Sequence, residues 1–459
     1  MIAKRARSLE ESEAADECKR QRMEITSIEQ QSGEPNFPPE MVLEIINRVP
    51  VKSVIRFGSA SKYWYNSIHQ DPKFMSNYFL QSLKNPNFIV CVLNVNLKDS
   101  IFMNHMLYIE DNHNHKHAGD GKIVHKSLTS RSNGKKQVVG YCNGFVCLSK
   151  MIKHPSTYDI YSLSMPEVLS IFTPTVADGY VKFHGFGFDS ITKEYKLVII
   201  LNSSASIDLF KCIMVFTLGT SLWRKIEIPN PPLKLFGNDV YKAAISCSDV
   251  LYWGTTVGSR DMISFDLHSE KFQVFQIPSE CIPSSTEQQQ QQAPIVRHLE
   301  FKGSLCVARL EKTSGTSQNN CKVHLYALSD RSKSMWTKKT LLLSLCPLPC
   351  SVDGVRVMGF SDKVLLYWFD GEHFHFYDLH RGQDFKDFKT KYHNGGLFDF
   401  QLCTHVENPL SLKTFVPQRA HRFHADALKA IIEERPRRPG GILRLSTPNK
   451  EPVALCFLF

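Results

Sequence analysis

The sequence predicts an α+β multidomain chain: a small all-α unit of three helices, then an all-β domain of propeller-like character. Three observations predict it. Over residues 38–74 apolar side chains recur at helical spacing, punctuated by prolines. From about Asn77 the texture changes to short, dense runs of β-branched and aromatic residues separated by turn residues. Within that region an aromatic residue, any residue and a leucine recur together. The copies are Tyr161-Ser162-Leu163, Phe216-Thr217-Leu218, Phe265-Asp266-Leu267, Tyr326-Ala327-Leu328 and Tyr377-Asp378-Leu379. They lie about 50 to 60 residues apart, a period found in propeller blades and related arrays.

The helical stretch follows elementary rules. Pro38 or Pro39 suits a first helical position, where a missing N–H costs nothing. Glu40 and Glu44 fall in the first turns, where the helix dipole favours anions. Val42, Leu43, Ile45, Ile46 and Val49 make a broad apolar surface, and Pro50 stops that helix. Lys52-Ser53 restarts the chain, Val54, Ile55 and Phe57 form a second stripe, and Ser61, Lys62 and Trp64 open a third helix. A unit of roughly 40 residues cannot cover so much apolar surface alone, so part of it is expected to meet a neighbour or a partner helix. An ordinary three-helix cap on a larger domain is the alternative.

In order and spacing this stretch resembles an F-box, the adaptor-binding module of SCF ubiquitin ligases. The resemblance is carried by Phe37-Pro38-Pro39-Glu40, Ile45-Ile46, the turn Arg48-Val49-Pro50-Val51-Lys52-Ser53, Arg56-Phe57, and Ser61-Lys62-Tyr63-Trp64, ending near Phe74. Phe37 stands where the family usually has leucine, and Gly58-Ser59-Ala60 replaces a run that usually contains cysteine. A glycine inside a helix costs up to about 1 kcal/mol against alanine, so the third helix is expected to start late or fray. The resemblance implies that residues 35–80 dock on a Skp-type adaptor and, through it, on a cullin and a RING subunit. It assigns to the adaptor surface, or to its direct support, Pro38, Glu40, Leu43, Ile46, Val49, Pro50, Val51, Ile55 and Trp64.

The β-rich region can be read strand by strand. Phe88-Ile89-Val90-Cys91-Val92-Leu93 and Met106-Leu107-Tyr108-Ile109 predict buried strands. Three copies of the repeat are followed closely by a second strand: Trp223-Arg224-Lys225-Ile226, Phe272-Gln273-Val274-Phe275 and Trp336-Thr337-Lys338. Each pair reads as a hairpin. Between them lie further hairpins, turning at Asn143-Gly144, near Asp249, at Lys302-Gly303 and at Asp362. Each period therefore offers about four short strands, the content of one blade. An irregular β-sandwich is the alternative; radial repetition has the advantage of leaving only short sheet edges.

A second resemblance spans roughly residues 85–400. The segments Cys142-Asn143-Gly144-Phe145-Val146-Cys147, Gly185-Phe186-Gly187-Phe188-Asp189 with Glu194-Tyr195-Lys196-Leu197-Val198, Leu222-Trp223-Arg224-Lys225-Ile226, Leu251-Tyr252-Trp253 and Ile263-Ser264-Phe265-Asp266-Leu267 are similar to the F-box-associated domain of the large plant F-box family. Tyr158-Asp159-Ile160-Tyr161 replaces the usual Trp-Asn-Pro phrase of the first blade. This resemblance implies that residues 85–410 form a domain that binds a target protein.

Composition sets the remaining bounds. The chain has 459 residues, room for two or three domains, and a net charge of +10. Its basic residues are scattered along the chain, which weighs against nucleic acid as a partner. No run approaches the ~18 apolar residues of a membrane span, and the polar N-terminus has no apolar h-region, so neither membrane nor secretory targeting is expected. The 13 cysteines are then expected to be reduced and mostly buried. Residues 1–34 are expected to be a disordered arm. Its basic clusters, Lys4, Arg5 and Arg7, then Lys19, Arg20 and Arg22, resemble a bipartite nuclear-import signal, so the expected location is nucleus, cytoplasm or both. Gln288 to Gln292 and residues 312–320 read as surface inserts, and residues 417–459 as a basic tail, disordered or with a short helix around Ala425 to Glu433.

Signs of catalysis are sparse. The pair Gly185 and Gly187 lacks the third glycine and following helix of a dinucleotide fingerprint. Phosphate-loop, zincin and nucleophile-elbow motifs are missing. His113, His115 and His117 alternate as strand ligands could, but their Asn and Gly neighbours favour a polar loop. Neither Cys142/Cys147 nor Cys346/Cys350 makes a Cys-x-x-Cys pair. The expectation is a non-catalytic, cofactor-free receptor subunit that presents a target for ubiquitination. A propeller scaffold or lectin-like binder outside any ligase is the alternative.

Overall fold

The computed structural model describes residues 38–84, 88–98, 101–110, 123–133, 136–150, 157–173, 179–203, 206–226, 242–254, 259–282, 295–313, 320–343, 355–360, 363–370, 373–380, 383–389, 397–416 and 455–457. The basic clusters of the arm, Phe37, the three alternating histidines, Gln288 to Gln292, and the predicted tail helix lie outside the described residues. The chain divides into two compact units, Met1–Tyr78 and Phe79–Phe459.

In the first unit, α1 (Pro39–Ile46) and α2 (Val51–Gly58) sit where the proline punctuation puts them, each entered through a proline N-cap, Pro38 or Pro50. The third helix is short: α3 (Lys62–Tyr65) runs into a π-helical turn, Asn66–Gln70, before α4 (Pro72–Lys84). The three expected helices are thus four helical segments. Gly58 does not interrupt any of them. It is the last residue of α2, where Ser59 closes the helix through Oγ donating to the Arg56 carbonyl at 2.7 Å. Ser61 then caps α3, its Oγ accepting from the Trp64 N–H at 3.2 Å. Ile46, Val51, Val54, Ile68, Phe74 and Tyr78 make the core, and the Tyr78 hydroxyl donates to the Val49 carbonyl at 3.0 Å.

The second unit is built from β-strands. The first are β1 (Phe88–Lys98), β2 (Ile101–Glu110) and β3 (Ile123–Asn133), then β4 (Lys136–Cys142), β5 (Phe145–Lys150), β6 (Thr157–Ser162) and β7 (Val168–Phe172). There follow β8 (Gly179–Asp189), β9 (Glu194–Ser203), β10 (Ser206–Thr217), β11 (Trp223–Ile226) and the two-residue β12 (Lys242–Ala243). Next are β13 (Ile245–Cys247), β14 (Val250–Gly254), β15 (Asp261–Asp266) and β16 (Phe272–Gln276), then β17 (Ile295–Phe301), β18 (Ser304–Thr313), β19 (Asn320–Asp330) and β20 (Met335–Leu343). The last are β21 (Arg356–Phe360), β22 (Lys363–Phe369), β23 (His373–Asp378), β24 (Gln383–Lys389), β25 (Leu397–His405) and β26 (Leu455–Phe457).

These strands form six sheets, ordered β25-β1-β2-β3, β26-β7-β6-β5-β4, β11-β10-β9-β8-β12, β13-β14-β15-β16, β17-β18-β19-β20 and β21-β22-β23-β24. Pairing is antiparallel except where β12 joins β8. Inner strands touch in sequence, β4 on β8, β8 on β13, β13 on β17, β17 on β21 and β21 on β25. The Val406 N–H, just past β25, donates to the Tyr141 hydroxyl on β4 at 2.7 Å and completes the ring. The array is a propeller and not a sandwich.

The aromatic-x-leucine element has a structural meaning. Each copy lies on the third strand of its sheet, β6, β10, β15, β19 or β23. At four of them the leucine N–H reaches back to a carbonyl at the start of the second strand: Leu163 to Gly144, Leu218 to Tyr195, Leu267 to Asp249 and Leu379 to Val364, at 2.9 to 3.0 Å. The third strand of the sixth sheet, β2, has no copy. That sheet is assembled from both ends of the domain, with Val92 on β1 paired to Gln401 on β25.

Turn chemistry and indole clamps hold the sheets in place. Asn143-Gly144, Ser248-Asp249 and Lys302-Gly303 each have two successive positive φ angles, as type I′ hairpins require. Trp223 Nε1 donates to the Phe172 carbonyl at 2.8 Å, and Trp336 Nε1 to the Gln276 carbonyl at 2.9 Å, each bonding an outer strand to the preceding sheet. Trp253 Nε1 does the same to His184 nearer the axis, at 2.9 Å.

Candidate functional site

Each unit presents one candidate surface. In the helical unit, the residues assigned from sequence separate into two groups. Ile46 and Val51 are buried, and Leu43, Val49, Ile55 and Trp64 pack partly against the core. Pro38, Glu40 and Pro50 are exposed. Residues not assigned from sequence are also exposed, with Met41 at 53% and Ile45 at 57%. Pro38, Met41 and Ile45 follow one another at three- and four-residue spacing, so they share one face of α1. Exposed Tyr63 makes an edge contact with Trp64 at 5.0 Å, and Trp64 leans on Phe57 at 4.8 Å. Glu44 and Arg48 pair at 2.8 Å across one exposed turn, an interaction worth a few tenths of a kcal/mol at most. The helical period identified the apolar positions. It missed Met41 and could not rank Ile45 above Ile46, because apolar residues surround most of an eight-residue helix.

In the β unit the inner strands line an open cavity of about 900 Å³. All six sheets contribute, through Tyr141, Phe188, Ser246, Arg297, Arg356 and Thr404. Among the described residues the lining carries three Lys or Arg side chains (Arg297, Lys302, Arg356) and two carboxylates (Asp249, Glu300). Both carboxylates have local tasks. Asp249 Oδ1 accepts from the Ser190 N–H at 3.1 Å, and its Oδ2 accepts from the Ser190 hydroxyl. Glu300 Oε1 accepts from the Gly303 N–H at 2.7 Å, bracing the turn after β17. Arg297 is fixed by donating Nε to the Val355 carbonyl and Nη1 to the Val296 carbonyl, both at 3.1 Å. Sequence reading passed over Arg297 and Arg356. The available signal was an arginine interrupting a buried run, as in Ile295-Val296-Arg297 and Val355-Arg356-Val357.

The two cavity thiols are held in their protonated form. Burial, with a further push from Asp249, raises Cys142 to about 12, and burial with Glu300 does the same for Cys247. At neutral pH both are protonated, so neither is a prepared nucleophile. Among the described residues no group of three or more His, Cys, Asp or Glu side chains could hold a metal ion.

One buried ion network lies outside both surfaces. Lys196 Nζ donates to Asp189 at 3.3 Å and to the Leu267 carbonyl at 2.7 Å, and Glu270 lies 3.3 Å away. Arg224 holds Glu270 from the other side with bonds of 2.9 and 2.6 Å. Burial raises the Asp189 pKa, but hydrogen bonds from Thr192, Ile191 and Lys196 outweigh it and hold the carboxyl well below the usual range. The network ties two sheets together and has every charge answered.

Comparison with known proteins agrees with this division. Residues 35–75 match the F-box domain, and residues 91–361 match the F-box associated beta propeller domain. The Arabidopsis thaliana F-box protein At4g38870 is 27% identical over 320 residues, covering 67% of this chain and 68% of that one. The F-box protein At4g19940 of the same plant is 23% identical over 386 residues, covering 76% and 87%. Among solved structures, a chain of a nidogen/laminin complex aligns with TM-score 0.37 at 11% identity, over 68% of this chain and 98% of that chain. With the propeller match spanning more than half its length behind a matched F-box, the chain belongs to the F-box proteins that carry an F-box associated beta propeller domain.

Proposed function

We propose that this chain is the substrate-recognition subunit of an SCF-type ubiquitin ligase. Its F-box docks on a Skp-type adaptor, and through it on a cullin and a RING subunit. Its β unit binds a target protein. The chain performs no bond chemistry of its own. Tethering the target raises the effective concentration of its lysines at the ubiquitin thioester, and that proximity is the mechanism.

The observation that carries this reading is the exposed face of Pro38, Met41 and Ile45 on a unit that matches an F-box. Apolar side chains held in water by a well-formed small core are what a partner helix would cover. The test is capture of a purified Skp-type adaptor by the full chain and by Ile45→Asp. Ile45 is largely in water, so the substitution leaves the unit folded; adaptor capture is expected to fall at least about tenfold, as for a central interface residue. Equal capture by a folded Ile45→Asp chain would sink the assignment.

Nuclear entry is part of the proposal and rests on the two basic clusters, Lys4, Arg5 and Arg7 with Lys19, Arg20 and Arg22. A reporter carrying residues 1–33 is expected to accumulate in nuclei, and a wholly cytosolic reporter removes this part.

A further inference from the structure

One sheet carries a strand beyond the four that make a blade. Counted outward from the axis, the fourth strands are β3, β7, β11, β16, β20 and β24. Among the described residues only β7 is followed by another strand on its outer side. That strand is β26, antiparallel, with Leu455 opposite Ile171, Cys456 opposite Ser170 and Phe457 opposite Leu169. The outer edges also differ in sequence. β3, β11, β20 and β24 carry Lys126, Arg224, Lys338 and Lys386, charges of the kind that discourage a further strand. β16 is uncharged but holds two glutamines, and its Gln276 N–H already donates to Ser334 Oγ at 3.1 Å. β7 reads Val168-Leu169-Ser170-Ile171-Phe172, with no charge, no proline and one polar side chain. That side chain is spoken for: the Ser170 hydroxyl donates to Asp159 Oδ1 on β6 at 2.7 Å. Leu169 and Ile171 are buried in the core, so β7 is firmly placed while its outer backbone groups are offered. The Trp223 indole takes the Phe172 carbonyl and bounds the edge at one end, one residue past the pairing of Ile171.

The occupant suits the edge. Val453-Ala454-Leu455-Cys456-Phe457-Leu458-Phe459 is an apolar run without charge or proline. Left in water such a run is an aggregation hazard, and pairing satisfies its backbone. We propose that the outer edge of β7 is a strand-addition site for an extended, uncharged apolar segment of a target protein, and that Leu455–Phe457 holds it from within the chain as a competitor the target displaces. Main-chain hydrogen bonds supply the affinity, and the uncharged rim selects apolar over charged strands. A competitor in the same chain acts at a fixed effective concentration, so it sets a threshold that weak strands do not pass. The proposal rests on the reading that the β unit binds a target protein; adaptor docking does not enter it.

The experiment compares the full chain with a full-length double variant, Leu455→Pro with Cys456→Pro, which cannot keep the ladder on β7. The probe is a fluorescent synthetic peptide of residues 448–459 carrying Cys456→Ser, read by anisotropy. It is expected to bind the double variant about tenfold or more tightly than wild type. Hydrogen exchange of residues 168–172 is expected to quicken in the double variant and to slow again when the peptide is added. In that background Phe172→Lys, at an exposed position, puts a charge on the edge and is expected to weaken the peptide several-fold without changing the melt. No binding to the double variant overturns the proposal, as does equal binding to both chains or exchange of β7 that the prolines do not alter. A control peptide carrying Leu455→Lys and Phe457→Lys is expected not to bind; equal binding overturns the selection of apolar strands. Self-association of the double variant that added peptide does not reverse assigns the edge to a second copy of this chain and overturns the target reading. Adaptor capture, measured on the same samples, is expected to be the same for both chains, so a failed capture strikes the ligase reading and leaves the edge to be judged by the peptide.

Discussion

Ile45 in the helical unit and Lys196 in the β unit invert the usual rule. The isoleucine is 57% exposed, while the lysine is 4% exposed. The difference lies in what each unit can answer internally. Lys196 is met by Asp189, the Leu267 carbonyl and Glu270, so its burial is compensated and it needs nothing from outside. Ile45 has no such answer: α1 has already buried Ile46 in a core of six residues, and its opposite side is left over. Burial of a charge, often a sign of function, is here a structural tie. Exposure of an isoleucine, often noise, recurs with Pro38 and Met41 on one face, the face proposed to meet a partner.

The strongest way to break this comparison is to deny each unit its internal answer. Val54 is fully buried in the helical core. Val54→Asp puts an unpaired carboxylate there and is expected to cost on the order of 4 kcal/mol or more, enough to unfold so small a unit. Limited proteolysis should then cut within residues 39–78 while the β unit resists; a protected helical unit would show that its core is not the one described. In the β unit, Lys196→Met leaves Asp189 buried with its lysine partner gone, at an expected cost of about 3 kcal/mol. Adding Asp189→Asn should recover most of that loss in denaturant unfolding. Additive losses would mean that the two side chains do not act as a pair.

A buried group without an answer should behave differently from Lys196. His184 is fully buried, and among the described residues neither ring nitrogen has a hydrogen-bond partner. Burial lowers its pKa from 6.5 to about 3. The unfolded chain therefore binds more protons than the folded one between those values, and stability falls as pH drops through that window, by about 1.4 kcal/mol per unit. His184→Phe, which keeps the ring contact with Tyr158, should remove this slope and be level with or slightly above wild type at pH 7. Unfolding curves at pH 7 and pH 5 in wild type and variant decide it; equal pH slopes would show that His184 is solvated or paired.

Local signals account for what was legible in the sequence. Prolines and helical spacing placed α1 and α2, since both depend on residues a turn away. The aromatic-x-leucine copies marked five third strands, because each packs its aromatic and four of them return the leucine N–H within the same sheet. The sixth sheet was not legible: β1 and β25 pair across nearly the whole domain, and no short-range pattern in either says so. The site was less legible than the fold for the same reason. Arg297 and Arg356 share a cavity only because β17 and β21 are neighbours on the axis. The division of Ile45 from Ile46 depends on where α2 and the later helical turns lie against α1, which a one-helix pattern cannot carry.

The smallest expected effect sharpens the comparison most. Ile45→Ser should change the stability of the helical unit by no more than about 0.5 kcal/mol, the range of surface substitutions away from caps and packed contacts. Helix propensity slightly favours neither residue, and the removed side chain is mostly in water, so there is little transfer energy to lose. Ile46→Ser on the next residue should cost about 3 kcal/mol or more, because it empties a packed core position and buries a hydroxyl. Thermal melts of residues 35–84 within the full chain, followed by hydrogen exchange, give both numbers on one molecule. A loss above 1 kcal/mol for Ile45→Ser would mean that Ile45 is packed in the free protein, and the face it shares with Pro38 and Met41 would then be core and not a docking surface.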